Sequence, residues 1–248
     1  MIGIMSAMHE ELNRIVAMLS DVTEEKVGHK IVYLGKLNNK KVAVVFSGWG
    51  KVAAATTSTM LIERYAISQL IFTGVAGGIQ PHLNIGDIVI GKSFVQHDMD
   101  CAGVLGIKRF EIPLLSLTEI PSTEALQTKS EKAAKDYLDS DLATDVEKEE
   151  LENLNISNPI IHCGLIASGD QFISSHEKLQ ELREALPNLL AVEMEGAAVA
   201  QVAYEYDLPF IVIRVISDKA DDESLIDFPR FIEKVASHFT AGIIKRLV

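Results

Sequence analysis

Two kinds of segment alternate along the chain. Short apolar runs rich in β-branched residues predict buried strands, and the segments between them predict helices. The predicted strands cover residues 2–6, 42–47, 69–73, 87–95, 160–167 and 210–217. The predicted helices lie near residues 9–19, 52–65, 122–138, 175–186, 194–206 and 228–247. Strands that alternate with helices in this way indicate an α/β layer fold.

Two local signals refine this pattern. Residues 31–37 and 41–47 flank Asn-Asn-Lys at residues 38–40. Because Asn tolerates a positive φ, this segment predicts a hairpin connection. Ser174 followed by Glu177 matches a capping box at the start of the helix predicted there.

The composition fits a single α/β domain that spans residues 1–248, since apolar residues make up 48% and aromatic residues 6% of the sequence. No apolar run is long enough to cross a membrane, and the N-terminal apolar stretch ends at His9 without the basic start of a signal peptide. Cys101 and Cys163 provide neither a disulfide framework nor a four-thiolate zinc site. We therefore expect a cytoplasmic protein with reduced cysteines and no membrane partner.

The formal net charge of −12 argues against a nucleic-acid partner, because binding to the phosphate backbone needs clustered Lys and Arg side chains. A small uncharged or zwitterionic ligand is compatible with this charge. Much of the acidic excess lies between Asp136 and Glu152, where eight acidic residues accompany one lysine. We interpret this run as a solvated helix end and loop, with a partner-binding site as the alternative.

The segment Ala191–Ala197 carries the strongest sign of chemistry. It places the carboxylates of Glu193 and Glu195 on either side of Met194, between apolar neighbours. Because a carboxylate is costly to bury in apolar surroundings, both groups need partners other than water. We predict that this segment begins a buried helix whose first turn presents the two carboxylates to a ligand. A pair of hydroxyl groups would be a suitable ligand.

Five fragments together resemble a known enzyme family. They are Ala-Met-His-Glu-Glu at residues 7–11, Gly-Val-Ala-Gly-Gly at 74–78, Ser-Gly-Asp-Gln-Phe-Ile at 168–173, Val-Glu-Met-Glu at 192–195, and the strand that ends in Ser-Asp at 217–218. In this order they are similar to the 5'-methylthioadenosine/S-adenosylhomocysteine nucleosidases of the purine nucleoside phosphorylase/hydrolase superfamily. A single Gly-x-Ala-Gly-Gly fragment is a weak signal, but the set covers nearly the whole chain and is specific to that branch.

The resemblance implies a central mixed, twisted β-sheet flanked by helices, with the active site across the strand ends. It also implies three roles. Asp218 is the general acid at adenine N7, Glu11 is the general base that holds the attacking water, and Glu195 accepts hydrogen bonds from the ribose 2'- and 3'-hydroxyls. Whether Asp218 is protonated before the reaction or only shares a proton in the transition state stays open. From spacing alone Asp218 also fits a strand-end cap, and Glu10 is expected to be solvated or structural.

The other contacts implied by the resemblance are apolar or aromatic. Phe172 is expected to stack on adenine, and Ile173 to read the edge of the base through its backbone. Met194 is expected to lie against the ribose. Met8, together with Phe228 at the end of residues 224–228, is expected around the ribose and the 5'-alkylthio group. The alternative for each of these side chains is ordinary core packing.

Three further positions belong to the predicted substrate-binding set. Glu193 also suits a supporting role at the helix terminus. Many relatives have a serine where this chain has Val75, and a smaller aliphatic residue where it has Trp49. These two departures leave the reaction class unchanged and bear on the rate and on the preferred 5'-substituent.

No metal or organic cofactor is expected. His97-Asp98-Met99-Asp100 is the one cluster with spacing like that of a metal site, but it lacks a third nitrogen or sulfur ligand, so we assign it a structural role. Gly-Trp-Gly-Lys at residues 48–51 resembles half of a phosphate loop without the Walker spacing.

The predicted function is hydrolysis of the N-glycosidic bond of adenine thionucleosides. The small-molecule partners are then 5'-methylthioadenosine and S-adenosylhomocysteine, with 5'-deoxyadenosine as a further substrate. One alternative is a phosphate-dependent purine nucleoside phosphorylase, but Glu11 stands where phosphate would need cations. The other alternative is a non-catalytic adenosine-binding module, which would not need both an acid and a base.

The resemblance also implies a homodimer in which each subunit completes the apolar 5' pocket of the other. The stretch Cys101–Pro113 is the expected donor, because it has few charges. Its apolar residues are Val104, Leu105, Ile107 and Phe110.

Overall fold

The computed structural model describes residues 1–220 and 228–248. The strands are β1 (Ile2–Ser6), β2 (Ser20–Val27), β3 (Lys30–Leu37), β4 (Lys40–Phe46), β5 (Gln69–Gly78), β6 (Ile88–Gln96), β7 (Ile120–Pro121), β8 (Ile161–Ser168), β9 (Leu189–Glu193) and β10 (Phe210–Asp218). The helices are α1 (His9–Ala17), α2 (Lys51–Tyr65), α3 (Glu124–Ser140), α4 (Leu142–Asp145), α5 (Lys148–Asn153), α6 (His176–Ala185), α7 (Gly196–Glu205), α8 (Phe228–Phe231) and α9 (Ser237–Leu247), with a π-helix at Ile232–Ala236 between α8 and α9.

These strands form one mixed sheet with a closed part and an open part. Strand β1 lies parallel to both β4 and β5, and antiparallel β3 and β2 continue outward from β4. On the other side, β5 pairs with both β9 and β10. Because β10 pairs with β6, β6 with β8 and β8 with β9, these five strands close into a ring. The predicted mixed sheet is confirmed, and its closure was not predicted.

The two faces of the sheet bury separate apolar cores. Successive side chains of a strand point to opposite faces, so Ile4 of β1 belongs to one core and Met5 to the other. In β4, Val44 and Val45 divide in the same way. Residues of α1, α3 and α9 complete the first core, and residues of α2 and α7 complete the second. Helices therefore flank the sheet on both faces, as predicted.

The strand ends converge on one edge of this sheet. Strands β1, β4, β5 and β10 run parallel, so their carboxyl ends lie together. The carboxyl end of β9 joins them, because Gly77 near the end of β5 pairs with Val192 near the end of β9. Strand β8 runs parallel to β9 and ends beside it. Such convergent carboxyl ends are where open α/β sheets bind ligands.

The structure confirms the hairpin and adds strands that the sequence pattern did not reveal. Asn38 and Asn39 connect β3 to β4 with φ angles of 49° and 62°, as the Asn-Asn signal predicted. Strand β2 was missed because it is polar and mostly exposed, so it has no apolar run. The two-residue β7 and the five-residue β9 were also missed.

Two predicted helix starts are wrong. Glu193 and Glu195 do not lie in the first turn of a helix, because Glu193 ends β9 and Glu195 is the N-cap of α7. The N-cap of α6 is Ser175 and not Ser174, since the Ser175 side chain accepts a hydrogen bond from the backbone N–H of Lys178. That bond satisfies one of the free amides of the first turn.

The acidic run between Asp136 and Glu152 is more ordered than a solvated loop. It covers the end of α3 and the short helices α4 and α5. Asp141 forms an ion pair with Arg246, and Glu150 forms one with Arg230 at 2.8 Å. Part of the acidic excess therefore binds the run to the C-terminal helices.

None of the helices within residues 1–220 and 228–248 is long and apolar enough to cross a membrane. Both cysteines are free and half-buried.

Candidate active site

A cavity lies at the edge where the strand ends meet. Its described lining residues are Ala7, Met8, Trp49, Val75, Ala76, Gly77, Gln171, Phe172, Ile173, Val192, Glu193, Met194, Glu195, Ser217, Asp218 and Phe228. The cavity therefore brings together all of the predicted site residues except Glu11, which is buried in the helix that begins directly after Met8. Segments far apart in the sequence meet here because each of them follows a strand that ends at this edge.

Glu193, the last residue of β9, holds the turn that leads into α7. Its carboxylate accepts hydrogen bonds from the backbone N–H groups of Glu195 (3.1 Å) and Gly196 (2.9 Å). The hydroxyl of Ser168, at the end of β8, also donates to it. These amides have no partner within the helix, so an acceptor at this point stabilises its start. The contacts favour the supporting role considered for Glu193.

Arg214 lies fully buried in β10, beside the two glutamates. Its Nη2 bonds to the Glu193 carboxylate and lies 3.7 Å from Oε2 of Glu195. The guanidinium stacks on Phe72, 4.1 Å from the ring centroid. A Cβ atom at Gly74 would lie 2.3 Å from Nη1, so glycine leaves the room that this side chain occupies. Arg214 is thus a buried cation placed among carboxylates.

Glu195 lines the cavity between β9 and α7. Its Oε1 accepts a hydrogen bond from the backbone N–H of Gly50 at 2.8 Å. Burial and the neighbouring Glu193 carboxylate raise the pKa of Glu195, while Arg214 acts in the opposite direction. A hydrogen-bond donor or a developing positive charge in the cavity would therefore stabilise its ionised form.

Glu11 lies in the first turn of α1 and has no exposed surface. Its two carboxyl oxygens each accept a hydrogen bond at 2.9 Å, Oε2 from the Ser6 hydroxyl and Oε1 from the Thr240 hydroxyl. Burial raises the pKa of Glu11 to about 7, although both hydroxyls and Arg214 lower it. Glu10 is exposed, as predicted. The buried Glu11 is therefore poised to exchange a proton near neutral pH.

Asp218 ends β10 and lines the cavity. Its Oδ2 accepts a hydrogen bond from the Ser217 hydroxyl at 2.7 Å, and its Oδ1 accepts one from the backbone N–H of Ala220 at 2.8 Å. The second bond caps the turn after the strand, so the strand-end role that spacing alone suggested is present. The same carboxyl group also reaches the cavity.

The aromatic and apolar residues predicted around a nucleoside lie on the cavity wall. Phe172 is 53% exposed, which leaves a ring face free to stack on a base, whereas Ile173 beside it is buried. Met8, Met194 and Phe228 are partly buried and line the same space. Residues 224–227, which precede Phe228, lie outside the described residues.

Trp49 is held at the rim of the cavity, with 68% of its surface exposed. Its indole Nε1 donates a hydrogen bond to the carbonyl oxygen of Ala7 at 2.9 Å, which fixes the ring beside Met8. Val75 lines the wall and offers no hydrogen-bonding side chain. Both departures from the family pattern therefore lie on the wall of the cavity.

Two backbone amides at the start of α2 already donate to carboxylates of the chain. The backbone N–H of Gly50 donates to Glu195, and that of Lys51 donates to Oδ1 of Asp170 at 2.8 Å. Carboxylates of the chain itself therefore occupy the positive end of this helix. These two amides are therefore not free to bind a phosphate.

The His97–Asp100 segment shows structural contacts. Asp98 accepts hydrogen bonds from Nζ of Lys51 (2.6 Å) and from the backbone N–H of Asp170 (2.9 Å). His97 is buried against Gly169, and burial lowers its pKa. Among the described residues, no group of three or more His, Cys, Asp or Glu side chains is arranged to hold a metal ion.

Several residues at or beside the site were not singled out from the sequence, among them Arg214, Ser217, Ser6 and Thr240. Arg214 and Ser217 had a visible signal, because both are polar residues within an otherwise apolar strand. Ser6 and Thr240 had none that distinguishes them from other small polar residues. The contact of Ser6 with Glu11 depends on the turn between β1 and α1, and that of Thr240 depends on how α1 and α9 pack together.

Comparison with known proteins places this geometry in context. The family model described as the phosphorylase superfamily matches residues 1–248. The 5'-methylthioadenosine/S-adenosylhomocysteine nucleosidase of Staphylococcus aureus (strain bovine RF122 / ET3-1) is 35% identical over 236 residues, which are 95% of this chain and 94% of the relative.

Two solved structures illustrate the structural similarity. The 5'-methylthioadenosine/S-adenosylhomocysteine nucleosidase of Neisseria meningitidis, in complex with methylthio-immucillin-A, has a TM-score of 0.85 and 30% identity, and the match covers 99% of this chain and 97% of that one. The futalosine hydrolase of Helicobacter pylori has a TM-score of 0.83 and 32% identity, with 99% and 96% covered.

Proposed function

Since the chain belongs to the 5'-methylthioadenosine/S-adenosylhomocysteine nucleosidase branch of the phosphorylase superfamily, we propose the roles by which its side chains act. The enzyme hydrolyses the N-glycosidic bond of 5'-methylthioadenosine and S-adenosylhomocysteine and releases adenine. One observation carries the assignment of roles. The carboxyl groups of Asp218 and Glu195 line one cavity, and that of Glu11 is buried in the helix that begins directly after the cavity-lining residues Ala7 and Met8.

In the proposed mechanism, Glu11 accepts a proton from water as the water oxygen bonds to C1' of the ribose. The C1'–N9 bond breaks, and Asp218 donates or shares a proton at N7, so that adenine leaves as a neutral base. Positioned general acids and bases of this kind each contribute about 10² to 10⁴ in rate. The raised pKa of Glu11, about 7, suits a base that works near neutral pH.

Glu195 is proposed to bind the ribose 2'- and 3'-hydroxyls. Its Oε1 accepts from Gly50 and its Oε2 lies 3.7 Å from Nη2 of Arg214, and each carboxylate oxygen has a further lone pair that can accept from the sugar. As C1' gains positive charge in the transition state, the nearby carboxylate also stabilises that charge. Phe172 is proposed to stack on adenine, and Met8, Met194 and Phe228 to surround the ribose and the 5'-thio substituent. Trp49 and Val75 then adjust the preference among 5'-substituents.

Water is the proposed nucleophile, in preference to phosphate. None of the described residues that line the cavity is a Lys or Arg. A phosphate dianion beside the carboxylates of Glu11 and Glu195 would be repelled. A module that only binds adenosine is disfavoured, because binding alone gives no reason to bury both Glu11 and Asp218.

The test is to measure adenine release in phosphate-free buffer. We expect release from 5'-methylthioadenosine and S-adenosylhomocysteine at a rate that added phosphate does not raise, with the free 5'-thio-ribose as the second product. Futalosine, which gives the Helicobacter pylori neighbour its name, is assayed in parallel to rank the 5'-substituents. Release that depends on phosphate and yields a ribose 1-phosphate would refute hydrolysis.

A matched pair of variants tests the base. Glu11→Gln should lower the turnover number by about 10² to 10⁴. Glu10→Gln, which changes the exposed neighbour in the same helical turn, should leave it within a factor of about two. If instead Glu10→Gln lowers the turnover number and Glu11→Gln does not, the base is Glu10.

We also propose that the enzyme is a homodimer in which Cys101–Pro113 of one subunit completes the 5' pocket of the other. Val104 is 57% exposed and Leu105 is 97% exposed, so this stretch offers apolar surface. Phe110 is the exception, because it is buried in the core of its own chain and is withdrawn from the predicted donor set. A fully active monomer in sedimentation at assay concentration would rule the proposal out.

We propose that residues 1–248 act as one nucleosidase domain in the cytoplasm, in keeping with the two free cysteines. A methylthio-ribose product keeps the sulfur and methyl group of the substrate, which fits a role in methionine salvage.

A further inference from the structure

The hydroxyls of Ser6 and Thr240 surround the carboxyl group of Glu11. We propose that Ser6 and Thr240 are positioning residues of the hydrolysis, which orient Glu11 and keep its carboxyl group hydrogen-bonded both before and after it accepts the proton. This inference rests on the proposed function, because it assigns Glu11 the role of base. Neither Ser6 nor Thr240 lines the cavity, so both act through Glu11 and not on the substrate.

The two hydroxyls that contact the Glu11 carboxyl group come from segments far apart in the sequence. Ser6 is the last residue of β1, and its Oγ lies 2.9 Å from Oε2 of Glu11. Thr240 lies on α9, and its Oγ1 is 2.9 Å from Oε1. All three side chains are buried. An ionised carboxylate at this depth is tolerated only if its oxygens accept hydrogen bonds, and each oxygen here accepts one.

Each of the two hydroxyls also has a second partner within hydrogen-bonding distance. Oγ of Ser6 is also 3.0 Å from the carbonyl oxygen of Met8, which can accept its single proton. Oγ1 of Thr240 is 3.2 Å from Oγ1 of Thr73, and either of these two atoms can donate to the other. A hydroxyl group rotates to suit its partners. Both hydroxyls can therefore redirect their protons without leaving a buried oxygen unpaired.

The two hydroxyls can adjust when Glu11 takes up a proton from water. While Glu11 is ionised, Ser6 and Thr240 donate to it. When Glu11 takes a proton from water, its new O–H can donate to the hydroxyl it faces, and that hydroxyl turns its own proton to Met8 or Thr73. The exchange needs only rotation about C–O bonds, and the proton taken from water stays on Glu11. The geometry thus serves both protonation states of the base.

The charged groups around Glu11 do not replace this function. Arg214 of β10 favours the ionised form, and exposed Glu10 of α1 opposes it. From β1 and α9, the groups that act on the carboxyl are the two hydroxyls. Loss of either hydroxyl therefore leaves one oxygen of the buried carboxylate without its donor.

The experiment compares Ser6→Ala and Thr240→Val with the wild type in two measurements. The first is the infrared carboxylic-acid C=O band of Glu11 in the free enzyme, identified by its loss in Glu11→Gln and titrated against pH. A hydrogen bond to a charged group corresponds to a change of about tenfold or more in the ionisation equilibrium. We expect each variant to move the midpoint upward by about one pH unit.

The second measurement is the pH profile of kcat/KM. Each variant should lose about tenfold below neutral pH and much less in alkaline solution, where Glu11 is ionised in every variant. Thr240→Ser, which keeps the hydroxyl, should restore the wild-type midpoint. Ser58→Ala should change neither measurement, because that buried hydroxyl bonds only to the carbonyls of Ala54 and Ala55 in its own helix.

The outcomes distinguish the positioning role of Ser6 and Thr240 from the proposed hydrolysis itself. An infrared midpoint that does not move in either Ser6→Ala or Thr240→Val overturns the inference, whatever the activity. A loss of kcat/KM that is equal at every pH also overturns it, because it would show a purely structural role. Failure of the wild type to release adenine without phosphate would instead refute the proposed function, and the infrared titration needs no substrate.

Discussion

Glu11→Gln should make the enzyme more stable in neutral and alkaline solution while it abolishes most of the turnover. Burial raises the pKa of Glu11 in the folded protein from an ordinary value of 4.5 to about 7. The folded state therefore binds this proton more tightly than the unfolded chain does. The stability contributed by the protonated form is fully present below about pH 4.5 and is lost as the pH rises through about 7.

The magnitude follows from this difference in pKa. A change from 4.5 to about 7 corresponds to about 3 kcal/mol of unfolding free energy. Roughly 2.5 kcal/mol of it is lost between about pH 5 and about pH 9. Glutamine carries no charge, so Glu11→Gln avoids this loss. Its amide oxygen can accept from one of the two hydroxyls, and its N–H₂ group can donate to the other.

The assay is urea unfolding of both proteins at the same protein concentration across this pH range. The unfolding free energy of Glu11→Gln minus that of the wild type should rise by roughly 2.5 kcal/mol from acid to alkaline pH, or about 1 M in the urea midpoint. The quantity to compare is the change of this free-energy difference with pH, because any effect of the substitution that is the same at every pH cancels. Glu10→Gln, which alters an exposed carboxylate, is the control and should show a much smaller change. Parallel curves for Glu11→Gln and the wild type would falsify the claim that Glu11 is a destabilising buried charge.

Three further predictions concern the rest of the site. Asp218→Asn should lower turnover by about 10² to 10⁴ while adenine still binds in calorimetry; near-normal turnover would remove Asp218 from the mechanism. Gly74→Ala should destabilise the fold by about 1–3 kcal/mol in urea unfolding, because its Cβ would lie 2.3 Å from Nη1 of Arg214; unchanged stability would contradict the tight packing of that side chain. If the backbone of Ile173 reads the adenine edge, kcat/KM for 5'-methylthioadenosine should exceed that for 5'-methylthioinosine by roughly 10² to 10⁴, and values within a factor of about three would refute that role.

The sequence revealed those site residues that lie where an apolar strand ends and polar residues begin. Asp218 follows a nearly unbroken apolar strand, and Glu195 follows the apolar run that became β9. A polar residue at the end of a buried strand lies at the sheet edge where ligands bind, so its position alone carries information. The family resemblance then supplied the roles. This is why all of the predicted residues except Glu11 line one cavity.

The parts that the sequence did not reveal depend on contacts between distant segments. The hydrogen bond from Thr240 to Glu11 spans 229 residues, and no local pattern records it. Closure of the sheet depends on β5 pairing with both β9 and β10, which periodicity does not specify. The start of α7 was predicted too early because a short apolar run followed by carboxylates fits either a strand end or a buried helix.

The contact between Glu11 and Thr240 has a consequence for how the chain folds. These two residues are 229 positions apart, so their hydrogen bond can form only once α1 and α9 have packed together. Asp218 likewise reaches the sheet edge on β10, whose pairing with β5 joins distant segments. Contacts of such long sequence separation form only after the entropy of closing long loops has been overcome, whereas the β3–β4 hairpin needs only a local turn. We therefore expect the surroundings of Glu11 to become ordered later in folding than that hairpin.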